Sequence, residues 1–221
     1  MRIIANFHKG EALRFISHLD IQRLLQRALR RACVPVKYSQ GFNPHPLLAC
    51  ASALSVGYTS DAEWMDIRME TDIDFQTLPA LLNTVLPEGL RVSRVLEIRE
   101  ELPTLTALLA QADYVVNIVF DIPVTEADMQ AVLANMLAGE IIVNKRTKGG
   151  MKDVDIRPYI ISVNYAQTSD PRRAKFEINS VLNAAGGLQM ELFLKAFLRE
   201  AGVNGSWRVH RSSVQFDKIE V

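Results

Sequence analysis

The sequence predicts an α+β fold of two tandem domains, each an antiparallel sheet with helices on one face. The order of the elements carries this. Runs with two-residue apolar alternation and runs with helical apolar spacing follow one another as β-α-β-β-α-β, and that order occurs twice. It is the pattern of a ferredoxin-like (βαββαβ) domain. Composition agrees, since 48% of the 221 residues are apolar, enough to bury a core. The expected domains are residues 1–103 and 110–221, the second with a basic hairpin inserted.

Ile3, Ala5 and Phe7 alternate with Arg2, Asn6 and His8 and predict the first strand. Lys9-Gly10-Glu11 reads as a turn. Ser17 is an N-cap, with Asp20 at the capping-box position. Ile21, Leu24, Leu25, Ala28 and Ala32 then form a buried helical stripe, which Pro35 should end. Leu47 to Val56 reads as a strand closed by Gly57. Glu63 to Met69 alternates acid and apolar residues, which predicts a strand with one solvated face. A helix over Asp74 to Leu86 and a strand over Leu90 to Ile98 complete the first domain.

In the second, Tyr114 to Phe120 is strand-like and Thr125 caps a helix with Asp128 at the boxed position. Ile141 to Asn144 enters the basic run Lys145–Asp153. Ile160–Tyr165 and Phe176–Leu182 pair across Ser169-Asp170-Pro171. Met190, Phe193, Leu194, Phe197 and Ala201 mark the last helix, Gly202 its C-cap, and Trp207–Phe216 the closing strand.

Net charge is formally zero, which taken alone argues against a polyanion partner. Its distribution argues the other way: residues 1–50 carry +6, residues 51–140 carry −11 and residues 141–221 carry +5. Local fields, rather than the average, attract nucleic acid. Cys33 and Cys50 have no metal-ligand spacing, which suits free thiols in a reducing cytoplasm. No apolar run reaches the ~18 residues of a membrane span, and the first residues lack a signal-peptide layout. No cofactor and no metal are expected.

The stretch Phe15–Pro46, FISHLDIQRLLQRALRRACVPVKYSQGFNPHP, concentrates the chemistry. Arg23, Arg27 and Arg30 recur at i, i+4 and i+7, with Arg31 beside them and Arg14 upstream. Guanidinium forks on one helix face can track phosphates, or they can form a solvated face paired with Asp20 and Glu11. In the loop that follows, Lys37 could meet a phosphate, Tyr38, Phe42 and His45 could stack on splayed bases, and Gln40 and Asn43 could read base edges. A rigid turn docking Phe42 into the core is the structural alternative. The basic run adds Lys145, Arg146, Lys148 and Lys152 as a phosphate clamp, with Arg157 either joining it or pairing with Asp155. His18 and His45 are the candidates for metal-independent acid–base cleavage of RNA, His18 alternatively serving capping or packing. Glu63 and Asp66 could hold a metal or form an acid–base pair, but such alternation also suits a solvated edge.

The run from Phe15 to Ile67 resembles the family of radical-SAM-linked bacterial proteins of unknown function. The matching elements are RFISHLD (Arg14–Asp20), RALRRA (Arg27–Ala32), YSQGFNPHP (Tyr38–Pro46), A-L-x-V-G (Ala53–Gly57), the acids Glu63 and Asp66, and KGGMKDVDIRP (Lys148–Pro158). Leu47 stands where a basic residue often follows PHP, and Ser55 where a proline usually precedes V-G. The resemblance implies a radical-SAM protein as partner, although this chain has no C-x-x-x-C-x-x-C to hold that cluster itself. More distantly, the helix and Gly-Phe-x-Pro-x-Pro turn look like the RAMP-type, CRISPR-associated RNA-processing proteins, built of ferredoxin-like domains.

The expectation drawn from all this is a non-catalytic RNA-binding accessory protein, acting on tRNA or rRNA with a radical-SAM enzyme. A metal-independent endoribonuclease is one alternative. A protein-interaction subunit without RNA contact, docking through its acidic middle segment, is the other.

Overall fold

The computed structural model describes residues 1–99, 101–147 and 149–219. It is α+β and divides into two compact units, Met1–Leu109 with Arg211–Val221, and Ala110–His210. The described residues from Arg211 onward, grouped with residues 110–221 in the sequence reading, fall in the first unit.

The first unit runs β1 (Arg2–Lys9), α1 (His18–Arg31), β2 (Leu48–Cys50), β3 (Thr59–Arg68), α2 (Leu78–Asn83), β4 (Leu90–Ile98) and α3 (Leu105–Leu108). In space its strands lie β4-β1-β3-β2, each antiparallel to its neighbour. Ile21, Leu25, Ala28 and Leu29 of α1 and Leu78 and Leu82 of α2 join Ile3, Ala5, Phe7, Met65 and Ile67 in one buried cluster. Each fully buried side chain of this size contributes about 1.5–3 kcal/mol, so the apolar stripe of α1 fixes the helix on the sheet and turns its arginines outward.

The expected capping box is present. The Ser17 hydroxyl accepts the Asp20 N–H at 3.2 Å and donates to its carboxylate at 2.7 Å. The other end differs, because α1 stops at Arg31, before Pro35 is reached. Cys33 adopts φ 51°, Val34 N–H donates to Leu29 C=O at 3.0 Å, and Cys33 N–H donates to Arg30 C=O at 3.1 Å. A left-handed residue and a six-to-one hydrogen bond make this a Schellman-type stop, with cysteine where glycine is usual.

Several boundaries move for local reasons. Leu47–Val56 keeps only Leu48–Cys50 as strand, because the chain bends at Ala51 and Ser52. The helix expected over Asp74–Leu86 shrinks to Leu78–Asn83. Asp74 instead takes the Gln76 N–H on its side chain, and Pro79 can sit only in the first turn. Lys9 belongs to β1, not to a turn. The register of β1 against β3 shifts between Phe7 and Lys9, and a bulge of this kind re-aims a side chain. Lys9 is 2% exposed and donates to the carbonyls of Arg14 and Ile16 at 3.2 and 3.1 Å.

The second unit runs β5 (Leu109–Phe120), α4 (Glu126–Ala138), β6 (Ile142–Thr147), β7 (Gly150–Asp155), β8 (Ile160–Gln167), β9 (Arg173–Asn183), β10 (Gly186–Gly187), α5 (Met190–Ala201) and β11 (Gly205–Phe216). Its strand order is β11-β5-β9-β8, with β10 also on β9 and with β6 and β7 forming a separate hairpin. The expected caps hold: Thr125 accepts from Asp128 N–H, and Gly202 ends α5 at φ 64°. Phe176, Phe193 and Phe197 are fully buried, with Phe176 ring centroids 5.0 Å from Phe197 and 5.1 Å from Tyr165. Burial pushes the Tyr165 phenol up to about 12. β11 crosses the unit boundary at Arg211, so its last residues return to the first unit.

Candidate functional site

The arginine face of α1 is solvent-facing. Arg23, Arg27, Arg30 and Arg31 are all exposed. Arg23 donates to Asp20 at 2.9 Å, and that carboxyl is held below its ordinary value by the Ser17 hydroxyl first and by Arg23 second. Among the described residues, the guanidiniums of Arg27, Arg30 and Arg31 have no hydrogen-bonded or ion-paired partner. Arg14 is different: half-buried, it pairs with Glu11 at 3.1 Å and lies 4.3 Å over the Phe15 ring.

The loop after α1 is a closed, stiff projection. Lys37 N–H donates to Arg68 C=O and Leu47 N–H to Lys37 C=O, each at 2.8 Å, and Ser39 N–H donates to His45 C=O at 2.9 Å. Tyr38 and Pro46 bridge its base, and Gly41 takes φ 122°, which only glycine adopts readily. At the tip Phe42 stands 110% exposed, so it does not dock into the core. Lys37, Tyr38, Gln40, Asn43 and His45 are exposed as well. A large apolar ring costs free energy in water, so a stiff loop that holds one out presents a stacking surface.

Among the described residues, the two histidines share no hydrogen-bonded partner. His45 Nδ1 is 2.9 Å from Ser39 Oγ. His18 begins α1 half-buried, and burial lowers its pKa, opposed by Glu63 and aided by Lys9 and Arg211. Glu63 and Asp66 are not a solvated edge. Arg211 donates to Glu63 at 2.9 Å and to Ser52 at 2.7 Å, both members of the pair being 4% exposed. Arg2 grips both Asp66 oxygens, at 2.6 Å to Oδ2 and 3.1 Å to Oδ1. These partners lie 148 and 64 residues away in sequence, out of reach of any local pattern. Among the described residues, no group of three or more His, Cys, Asp or Glu side chains could hold a metal.

In the second unit, β6 and β7 set Lys145 directly opposite Lys152, and Arg146 opposite Met151. Like charges facing across a strand pair repel, and an anion would relieve that. Lys148 lies outside the described residues. The half-buried Arg157 guanidinium donates to the carbonyls of Leu137 at 2.8 Å and Ile160 at 3.0 Å, while the Arg157 backbone N–H donates to the Asp155 carboxylate at 2.9 Å.

Two basic residues escaped the sequence reading. Arg68 and Arg99 line an open cleft at the base of the loop together with Lys37. Only the strand register, which places Arg2 opposite both Arg68 and Ile98, reveals it.

Comparison with known proteins places this geometry in a family. The chain belongs to the family described as "Uncharacterized protein conserved in bacteria (DUF2344)", which matches residues 2–191. No curated protein matches it. Among solved structures it is similar in fold to a chain of a Cbf5-Nop10-Gar1 complex, at 12% identity and a TM-score of 0.59, covering 98% of this chain and 50% of that one. It is also similar to a chain of an H/ACA RNP bound to a substrate RNA containing 2'-deoxyuridine, at 10% identity and a TM-score of 0.53, covering 95% and 46%. A third is a chain of the archaeal box H/ACA sRNP Nop10-Cbf5 complex, at 12% and 0.52, again covering 95% and 46%. The chain thus spans about half the length of these solved chains. Among the described residues, no helix is long and apolar enough to cross a membrane.

Proposed function

We propose that this chain is a non-catalytic RNA-binding accessory protein, contacting tRNA or rRNA through its first unit and serving a radical-SAM enzyme. One observation carries the reading: Phe42 stands fully in water on a hydrogen-bonded loop that follows a helix bearing unpaired arginines. Guanidiniums hold backbone phosphate while the ring stacks on a base, the usual division of work on single-stranded RNA. The fold likeness to a chain of an H/ACA RNP bound to a substrate RNA and to a chain of an archaeal box H/ACA sRNP complex supports the reading without assigning a role. The radical-SAM partner rests on the motif resemblance alone. The reading puts binding before cleavage: His45 Nδ1 meets Ser39 Oγ, whereas the charges that act on His18 are Glu63, Lys9 and Arg211.

The same reading takes the chain as two ferredoxin-like domains, residues 1–103 and 110–221 in sequence. The strand orders β4-β1-β3-β2 and β11-β5-β9-β8 support it, with β6 and β7 as an insertion in the second.

The test is RNA co-purification from cells at low salt, then sequencing and a salt titration of the enriched RNA. Arg27→Glu and Phe42→Ala, each with a parental melting curve, should each lower retention at least fivefold, and binding should fall steeply with salt. A parent protein free of RNA, or two folded variants that retain as much as the parent, refutes the proposal. Salt-resistant co-purification with the radical-SAM protein would test the partner separately.

A further inference from the structure

The strand register builds a basic row that the RNA-binding reading does not need. Lys37 N–H donates to the Arg68 carbonyl, Arg68 faces Arg2 across β3 and β1, and Arg2 faces Ile98 across β1 and β4, next to Arg99. Neighbouring strands lie about 4.8 Å apart, so the row is roughly 14 Å across. It lines an open cleft of about 730 Å³, inside the ~300–1,000 Å³ range of small-ligand sites. Ile98, Leu102 and Pro103 supply apolar wall.

The far wall is fixed from beneath. Arg2 is 6% exposed, and beyond Asp66 it donates to the Leu102 carbonyl at 2.6 Å and the Pro103 carbonyl at 2.7 Å. A buried guanidinium on β1 therefore ties the 102–103 segment to the sheet. Arg99 is anchored by Glu97 at 2.8 Å. The side chains of Lys37 and Arg68 have no hydrogen-bonded or ion-paired partner among the described residues.

Charge selects the ligand. Among the described residues, Arg2 is neutralised by Asp66 and the Met1 ammonium faces Asp72 at 3.9 Å, while Lys37, Arg68 and Arg99 stand against Glu97 and Glu101, which leaves a single positive charge. That balances one monoanionic phosphodiester. A dianionic terminal phosphate would leave excess negative charge beside Glu101.

Building on the RNA-binding reading, we infer that this cleft is a phosphodiester subsite. It would take one internal nucleotide of a single-stranded RNA, its phosphate on Lys37 and Arg68 and its sugar or base on Ile98, Leu102 and Pro103. Lys37 also opens the loop that carries Phe42, so the strand would leave the cleft toward the exposed ring.

The experiment uses the full chain and a fluorescein-labelled single-stranded RNA 12-mer of mixed sequence, read by anisotropy. Arg68→Gln and Lys37→Gln alter exposed, unpartnered side chains and should keep the parental melting curve. Each should weaken binding about tenfold, the usual effect of losing a charge-assisted hydrogen bond. Each should also flatten the log–log salt dependence by about 0.7, one single-strand phosphate contact. A neutral methylphosphonate at the contacted linkage should weaken parental binding similarly and add nothing to Arg68→Gln. If the parent binds and both variants bind equally well with the same salt slope, the subsite is wrong while the RNA reading stands. If the parent binds no RNA, both fall. If millimolar inorganic phosphate alone abolishes the Arg68-dependent part of binding at constant ionic strength, the cleft is a free-phosphate pocket and the inference is overturned.

Discussion

Replacing Glu63 with leucine should be among the most damaging single changes in the first unit, and the reason can be worked out from its neighbours. Glu63 and Arg211 are each 4% exposed and meet at 2.9 Å, and Lys9, 2% exposed, interacts with the same carboxylate. Burial lowers the Lys9 pKa, and Glu63 opposes that shift. Glu63 thus pairs directly with Arg211 and lends a favourable field to Lys9, whose ammonium bonds the Arg14 and Ile16 carbonyls. Breaking a buried pair from one side costs about 3–5 kcal/mol, because the other charge stays behind. Arg211→Met leaves Glu63 balanced by Lys9 and belongs at the low end of that range. Glu63→Leu removes the only carboxylate partner of Arg211 among the described residues and the carboxylate field at Lys9, and belongs at the high end. For a chain of this size 1 kcal/mol moves the melting temperature about 2–4 °C, so the drops should be roughly 6–12 °C and 10–20 °C. The double variant should melt above Glu63→Leu, since it removes one stranded cation. Circular dichroism melts at 0.1 and 1 M NaCl make the assay, and salt should change the differences little, as screening hardly reaches buried charges. A Glu63→Leu protein melting within 2 °C of the parent, or Arg211→Met proving the worse, would refute the reasoning.

Three further outcomes are expected. His18 has a folded-state pKa below 6.5, so as pH falls through that value the unfolded chain takes up a proton the folded one resists, and stability drops. His18→Gln should therefore lose less melting temperature between pH 7.5 and 5.5 than the parent does; an unchanged loss would contradict this. Burial, aided by Glu63, pushes the Cys50 thiol up to about 12, whereas Cys33 is exposed. Iodoacetamide at pH 7.5 should label one thiol of the native protein, mapped by mass spectrometry to Cys33, and both only in denaturant; labelling of Cys50 in the native state would count against its burial. Finally, Cys33 holds φ 51° at the end of α1, a conformation that disfavours side chains. Cys33→Gly should raise the melting temperature by about 2–4 °C, equivalent to about 1 kcal/mol, and a lower melting temperature would show that the side chain contributes more than the strain costs.

What could be read from the sequence was whatever is enforced within a few residues. Ser17 with Asp20, Thr125 with Asp128, the stripe of α1 and the left-handed Gly202 are local devices, and each stands where spacing put it. The outward arginines followed from the stripe, since a helix that buries one face must show the other. The misread acids fail for the opposite reason. Alternation along β3 says which side chains share a face, but not whether another segment covers it. Glu63 and Asp66 looked solvated because Arg211 and Arg2 come from other strands. Lys9 was hidden by a bulge, and Arg68 and Arg99 became neighbours only through register. Phe42 could have gone either way, because a proline-rich turn can bury or display an aromatic ring, and only the hydrogen bonds across the loop decide.

The pairing of Glu63 with Arg211 also sets a timetable. The carboxylate leaves the ribosome 148 residues before its guanidinium partner. At about 5–20 residues per second that interval is roughly 7–30 s. Once Ile98 has been made the first unit can assemble β1, α1, β3 and β4, but until Arg211 follows it lacks the final strand segment that neutralises its interior. A nascent chain in that state would be a natural client for a holdase, and a fragment ending near residue 109 should be unstable and prone to aggregate. The second unit, whose residues are contiguous from Ala110 to His210, could finish folding before the first one closes.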